Sequence, residues 1–271
     1  MSGVAALEKL KIGVHLRPQH TTVDALRTAW KAADALGVDS ISVWDHFHPL
    51  QGDAGGAHFE CWSLLAGMAC DTRSAQIGPI VSAVGYRNPD LLADMARTVD
   101  HLSGGRLFLG LGAGNSERDH LDYGLPWGTP GRRLAALAQA LPRIKARLAR
   151  LVPPPVGRLP ILIGGAGERV TLRLVAEFAD MSNIGGSPEV VRHKNQVLDA
   201  WCAKLGRNPA EIERTSNIPI AAVDSLEEYV AAGAQRLQVQ LDHPFDIRPV
   251  ERALAQRAKF SSTPTRTPTP G

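Results

Sequence analysis

Residues 76–112, QIGPIVSAVGYRNPDLLADMARTVDHLSGGRLFLGLG, decide the fold, because they read as a strand, a helix and a second strand in succession. The flanking runs, Gln76 to Val81 and Arg106 to Gly112, are apolar and strand-like. Between them Asn88 stands where it can cap a helix, with Pro89 in the first turn. Leu91, Leu92, Met95, Val99 and Leu102 form one stripe, and Ser103, Gly104 and Gly105 end it. A strand that returns through a helix to another strand is the unit of a parallel sheet covered by helices.

The same pattern extends outward in both directions. Further strands are expected at Lys11 to Leu16, Ser40 to Trp44, Pro160 to Gly164, Met181 to Ile184, Ile218 to Val223 and Arg236 to Leu241. Ser187, Pro188 and the stripe Val191, Lys194, Leu198, Trp201 and Leu205, closed by Gly206, repeat the helix signature. Eight such units in about 250 residues match a closed (β/α)8 TIM barrel of the α/β class, whereas a doubly wound sheet of this length has fewer strands or a second domain. A single barrel domain over residues 1–260 is expected, followed by a flexible Thr/Pro-rich tail, SSTPTRTPTPG, over 261–271.

Composition narrows the function. With 271 residues, 44% hydrophobic and 21% charged, the chain can bury a full-sized core. Its longest apolar runs, such as Leu107 to Leu111, fall far short of the roughly 20 residues that span a bilayer, so no membrane contact is expected. Met1 to Lys11 carries no export signal, which places the protein in the cytoplasm as an expectation. Cys61, Cys70 and Cys202 include no CxxC pair, which argues against a disulfide framework and a thiolate zinc site. A formal charge of +3 from scattered Lys and Arg lacks the footprint of a nucleic-acid binder.

In a barrel, functional residues lie at the C-terminal strand ends. Those ends carry Arg17; Asp45, His46 and His48; Ser82, Tyr86 and Arg87; Gly112 to Asn115; Gly164 to Glu168; Gly185 and Gly186; Asp224; and Asp242 with His243. Three of them are glycine-rich, which lets a large flat ligand lie against backbone. The run ILIGGAGER (Ile161 to Arg169) places free N–H groups and a helix start near Glu168, suited either to a phosphate or simply to a tight turn. GLGAG (Gly110 to Gly114) is no GxGxxG fingerprint, since Asn115 stands where the third glycine belongs, so a Rossmann nicotinamide site is not expected. In WDHFHP (Trp44 to Pro49), the HxH spacing of His46 and His48 suits a metal-dependent barrel hydrolase. Such a site also needs histidines after the fifth and sixth strands, and those ends supply none, so no metal is expected. Two readings stay open: His46 is an acid/base group with Asp45 fixing local geometry, or both are strand-end polar groups satisfied by backbone.

Three ordered segments resemble one family. VWDHFHPL (43–50), IGPIVSAVGYRNPDLLADMARTVDHLSGGRLFLGLGAGNSERDHLDYGLPW (77–127) and PILIGGAGERVTLRLVAEFAD (160–180) are similar to the bacterial luciferase-like superfamily, and within it to actinobacterial F420-dependent oxidoreductases. The resemblance implies a deazaflavin, coenzyme F420, or less often FMN, at the C-terminal mouth of the barrel. It implies a hydride transfer between that coenzyme and a small organic substrate, with Asp45 and His46 at the reactive face and His46 handling the proton. Ile80 and Val81 correspond to a strand-end pair that in many members is joined by a nonprolyl cis peptide. Gly112 and Gly114 would floor the ring pocket, Asn115 would border it, and Gly164, Gly165, Ala166, Gly167 and Glu168 would follow the phosphate-bearing tail. A homodimer is also common in the family.

Two departures stand out. Asn115 replaces the glutamic acid of the family's sugar-phosphate dehydrogenases, and an amide is no general acid. Glu117, Asp119, His120 and Tyr123 are the nearby substitutes. The connection from the fourth helix to the fifth strand, Lys145 to Leu159, is shorter than usual, which predicts a more open pocket or one closed by a partner subunit. The alternatives to an F420 enzyme are an FMN-dependent monooxygenase and a cofactor-binding member without catalysis.

Overall fold

The computed structural model describes residues 10–261. Its strands are β1 Lys11–Leu16, β2 Ser40–Val43, β3 Gln76–Pro79, β4 Ser82–Ala83, β5 Leu109–Gly112, β6 Ile161–Gly164, β7 Met181–Asn183, β8 Glu213–Ile218 and β9 Arg236–Leu241. The helices are α1 Val23–Ala35, α2 Cys61–Asp71, α3 Pro89–Ser103, α4 Glu117–Leu121, α5 Pro130–Leu148, α6 Thr171–Phe178, α7 Pro188–Leu205, α8 Leu226–Ala231 and α9 Arg248–Ser261. Every strand pairing is parallel, in the order β3-β2-β1-β9-β8-β7-β6-β5-β4. The two ends of this order meet where Ile77 bridges Leu107 in parallel, closing the sheet into a barrel. Strands β3 and β4 both lie along residues 107–112 and are two pieces of one stave, parted at Ile80–Val81, whose peptide is cis. Nine segments thus make the eight staves of a TIM barrel.

Alternation along each strand divides the interior in two. Ile12, Val14 and Leu16, like Ile161 and Ile163, join the large core shared with the helices, alongside Leu26, Trp30, Leu65, Leu92 and Leu172. The intervening side chains fill the lumen. One half of it is apolar, with Ile80, Phe108, Leu162 and Met181 together. The other half is polar and internally bonded: His15 Nδ1 lies 2.9 Å from Ser42 Oγ, and Gln238 Nε2 donates to Ser40 Oγ at 2.9 Å. Helix α3 starts and stops as its sequence implies, with the Asn88 side chain accepting from Asp90 N and Gly104 left-handed at φ 68°. Its stripe, however, is rotated: Leu92, Ala93, Ala96 and Val99 are buried, while Leu91 and Leu102 face outward.

Two expectations are corrected. The seventh stave is Glu213–Ile218, not Ile218 to Val223, and Ile220–Ser225 forms a 3-10 helix after Pro219. The true strand is polar, and its Thr215 and Asn217 side chains both accept from Asn183 Nδ2 (2.9 and 3.1 Å), so it carries no apolar run to betray it. Asp224, in the 3-10 helix, therefore does not mark this stave's end. The short connection before β6 also lies on the opposite face of the barrel from the C-terminal strand ends, since a helix leading into a parallel strand arrives at the strand's N-terminal end. There it docks on α3, where Asp100 Oδ2 accepts from Val156 N and Gly157 N at 2.7 and 3.0 Å. Its length cannot open the mouth. Helix α9 runs through Ser261, and the rest of the expected tail lies outside the described residues. Among the described residues no helix is long and apolar enough to cross a membrane.

Candidate active site

At the C-terminal strand ends a cavity of about 450 Å³ opens, a size typical of small-molecule sites. Asp45, His46, Ile80, Val81, Gly112, Gly114, Asn115, Gly164, Gly165 and Ala166 line it, together with Ala83, Tyr86, Thr171, Asn183, Gly185 and Asn217. Gly167 and Glu168 are not in its lining. Glu168 instead faces α7, where its Oε1 accepts from Lys194 Nζ at 2.5 Å and lies 2.9 Å from His193 Nε2.

The wall after β2 is built from tightly held side chains. His46 Nδ1 lies 2.6 Å from Asp119 Oδ2, and the same oxygen accepts from Tyr86 Oη at 2.8 Å. Asp119 Oδ1 accepts from the Phe47 N–H at 3.2 Å, so the one carboxylate organises three neighbours. Asp119 is fully buried on the short helix α4, whose Ser116 caps it by accepting from Asp119 N. Burial pushes this carboxyl up, but the hydrogen bonds from His46 and Tyr86 outweigh it and hold it at about 2. An ionised carboxylate only accepts, so His46 Nδ1 must donate, and Nε2 is left as the atom for exchange with the cavity.

Asp45 does not touch this pair. Its carboxylate takes a bidentate contact from Arg87 (2.6 and 3.1 Å), and Arg87 reaches on to Glu60 at 2.7 Å. Burial pushes the Asp45 carboxyl up while Arg87 pulls it down, and burial prevails. Trp44 backs the wall, with its ring centroid 5.7 Å from that of His46 in an edge-to-face arrangement and its Nε1 donating to His58 Nε2 at 2.9 Å. His58 accepts this bond at Nε2 and is neutral; burial pushes it down to about 4. His15, beneath Trp44, is pushed by burial to about 3. His48 does not join His46 on a common ligand: its Nε2 lies 3.1 Å from Asp122 Oδ2 without hydrogen-bond geometry. Among the described residues no group of three His, Cys, Asp or Glu side chains is placed to hold a metal ion.

The opposite wall is backbone. A Cβ added at Gly112 would lie 2.6 Å from Val81 Cγ2, and one at Gly164 would lie 2.8 Å from Val81 Cγ1. These glycines make room first for Val81, and only through it for a ligand. Beyond them the Gly165 N–H is spent on Asn183 O (3.1 Å), while the N–H groups of Ala166 and Gly167 have no partner among the described residues. Helix α6 begins at Thr171, a few residues later than the sequence suggests.

Sequence reading placed His46 and the glycines in one site but assigned Asp119 only as a substitute acid. The Ser116–Asp119 spacing signals a helix cap, and nothing local reveals a partner 73 residues away in sequence. Tyr86 and Arg87 were visible at a strand end without a role, and Asn217 was hidden by the misplaced seventh strand.

Comparison with known proteins follows the same direction. The family model described as luciferase-like monooxygenase matches residues 9–266. The chain is 28% identical over 216 residues to 5,10-methylenetetrahydromethanopterin reductase of Archaeoglobus fulgidus, covering 73% of this chain and 60% of that protein. It is 26% identical over 242 residues to the F420-dependent glucose-6-phosphate dehydrogenase of Mycolicibacterium fortuitum, covering 79% of this chain and 70% of the relative. Among solved structures, an F420-dependent secondary alcohol dehydrogenase in complex with an F420-acetone adduct superposes with a TM-score of 0.81 at 14% identity, over 94% of this chain and 99% of that one. At that identity the superposition speaks for the fold alone.

Proposed function

Because this chain belongs to the luciferase-like monooxygenase family, we propose that it is an F420-dependent oxidoreductase, with the deazaflavin ring at the barrel mouth and His46 as its proton-handling residue. The observation that carries the reading is the His46–Asp119 pair at 2.6 Å on the rim of a cavity whose far wall is glycine backbone. The names of relatives add support, and the chain spans only 60% of the length of the reductase it matches.

The residues present fit such a group. Asn115, Asn183 and Asn217 offer amide donors and acceptors to a polar ring edge, and Val81, Ile80 and Ala83 offer an apolar surface to its face. The Ala166 and Gly167 N–H groups ahead of α6 would hold a phosphate in its tail. When bound, the deazaflavin supplies or takes up a hydride. The protein's part is to orient ring and substrate and to move a proton at His46 Nε2. Asp119, held ionised, fixes the imidazole tautomer by accepting from His46 Nδ1, while Tyr86 fixes the carboxylate in turn. Arg87 holds the buried Asp45 carboxylate at the edge of the cavity.

Equilibrium titration of the purified protein with F420 and, in parallel, FMN, followed by quenching of ligand fluorescence, tests this reading. Tight F420 and weak FMN binding is the expected result. Preferential FMN binding would point to an FMN-dependent monooxygenase, and binding of neither at micromolar concentration would overturn the enzyme assignment.

A further inference from the structure

We propose that the N-terminal end of the barrel, opposite the mouth, carries a second binding site, which takes an oxyanion: a phosphate or a carboxylate. The site shares no lining residue with the mouth and does not depend on the coenzyme reading.

Its floor is the first layer of the lumen. Ile12, Ile77 and Leu237 join the core shared with the helices, so the residues before them, Lys11, Gln76 and Arg236, point inward at the starts of β1, β3 and β9. Glu213, at the start of β8, meets Lys11 and Arg236 there. Over this layer opens a cavity of about 660 Å³, larger than the one at the mouth, whose lining includes Lys11, Gln76 and Glu213 together with Arg158, Asp180 and Gln235.

The layer holds more donors than acceptors. Glu213 Oε1 accepts from Arg236 Nε at 2.8 Å, and its Oε2 accepts from Lys11 Nζ and Arg236 Nη2 at 3.0 and 3.2 Å. Gln76 Oε1 accepts from Arg236 Nη2 at 2.8 Å. The acceptors are thus used up, and Arg236 Nη1 is left buried without a partner among the described residues, on a residue that is 1% exposed. Gln76 Nε2, on the lining, likewise has no partner among the described residues.

The balance of charge points the same way. Lys11 and Arg236 share the one carboxylate of Glu213, while the other carboxylates on the lining are already matched: Asp180 by Arg158 at 2.6 Å and the Ile161 N–H at 2.9 Å, and Glu211 by Arg207 at 3.3 Å. Burial pushes the Glu213 carboxyl up, but the Arg236 and Lys11 cations outweigh it and hold it below the usual range. It therefore stays charged, and one positive charge is left over. A buried guanidinium that its surroundings do not balance is costly. An oxyanion seated against Lys11 Nζ and Gln76 Nε2 would balance it through charge-assisted hydrogen bonds, with Arg236 adding its charge from behind.

Titration of the full chain with inorganic phosphate and, separately, with acetate, at constant ionic strength and followed by line broadening in phosphorus and proton NMR, tests the site. Saturable binding of at least one of the two is expected. Gln76→Glu should weaken it at least about tenfold, because the new carboxylate faces the ligand and takes up the Arg236 charge. Lys11→Gln, at a half-exposed position, should weaken it by a smaller factor and keeps the test decisive if the first variant folds poorly. The bound anion should also raise the melting temperature of the unmodified protein and leave that of Gln76→Glu where it was. Binding that is unchanged in both variants lies elsewhere, as at the glycine wall of the mouth, and overturns the proposal. Absence of saturable binding to the unmodified protein overturns it as well.

Discussion

The two walls of the mouth are built on opposite plans. After β2, the polar side chains at the cavity wall hold one another: His46 is held by Asp119, Asp119 by Tyr86 and the Phe47 N–H, Asp45 by Arg87, and Arg87 by Glu60. At the ends of β5 and β6, Gly112 and Gly164 carry no side chain, and that space belongs to Val81 and then to a ligand. One wall supplies orientation and charge; the other supplies room and backbone donors. Removing a group from the first should cost chemistry, and adding one to the second should cost packing and binding.

The sharpest way to break that division is His46→Ala. Turnover with F420 should fall by about 10² to 10⁴, with coenzyme affinity changed only a few-fold. Unchanged turnover would return His46 to the reading in which it is a satisfied strand-end polar group. Next comes Asp119→Asn, whose amide can donate to His46 Nδ1 and place the ring proton on Nε2, the wrong tautomer for a base. Steady-state kinetics should show kcat reduced by about 10² with KM little moved, and an equal rise in KM would mean that Asp119 only supports the loop.

On the glycine wall, Gly112→Ala should lower stability by about 1–3 kcal/mol, because the new methyl must displace Val81. Val81→Ala in the same chain should recover most of that loss, and a thermal-melting double-mutant cycle measures the coupling. Additive effects would show that Val81 is not what the glycine accommodates. At Gly185, which lines the cavity but whose added Cβ meets nothing within 4 Å, Ala should stay within about 0.5 kcal/mol of the parent. Any loss of F420 affinity there, with melting unchanged, would mark the ligand's path along that loop.

Acid should also act on the first wall. His15 and His58 are neutral when folded, at about 3 and about 4, against 6.5 unfolded. Their contribution to stability is complete above pH 6.5 and is lost as the pH falls from there toward those values, because the unfolded chain gains protons that the fold refuses. For the fully buried His15 the slope is at most about 1.4 kcal/mol per pH unit. Urea midpoints measured from pH 8 down to 5 should be flat and then decline, and His15→Gln should make the decline shallower. An identical profile in the variant would remove His15 from the account.

How much could be read beforehand differs by element. β1 and β9 match their sequence limits, and the caps of α3 fall at Asn88 and Gly104, because apolar runs and capping residues act locally. β8 escaped because its polar residues are satisfied inside the lumen, where burial no longer requires an apolar side chain. The outward turn of Leu91 and Leu102 escaped because the face of α3 that meets the sheet depends on where the neighbouring helices lie.

What the order of residues determined alone is the alternation of strand and helix, and with it the barrel, the glycine-rich strand ends and His46 beside them. These depend on periodicity, turn chemistry and short-range capping, which act over a few neighbouring residues. Only the closed barrel decided that Asp119, and not the adjacent Asp45, holds His46, and that Gly112 and Gly164 yield their space to Val81. Hydrogen bonds and steric contacts act over a few ångströms in space, and chain separation carries no information about which distant side chains closure brings within that reach.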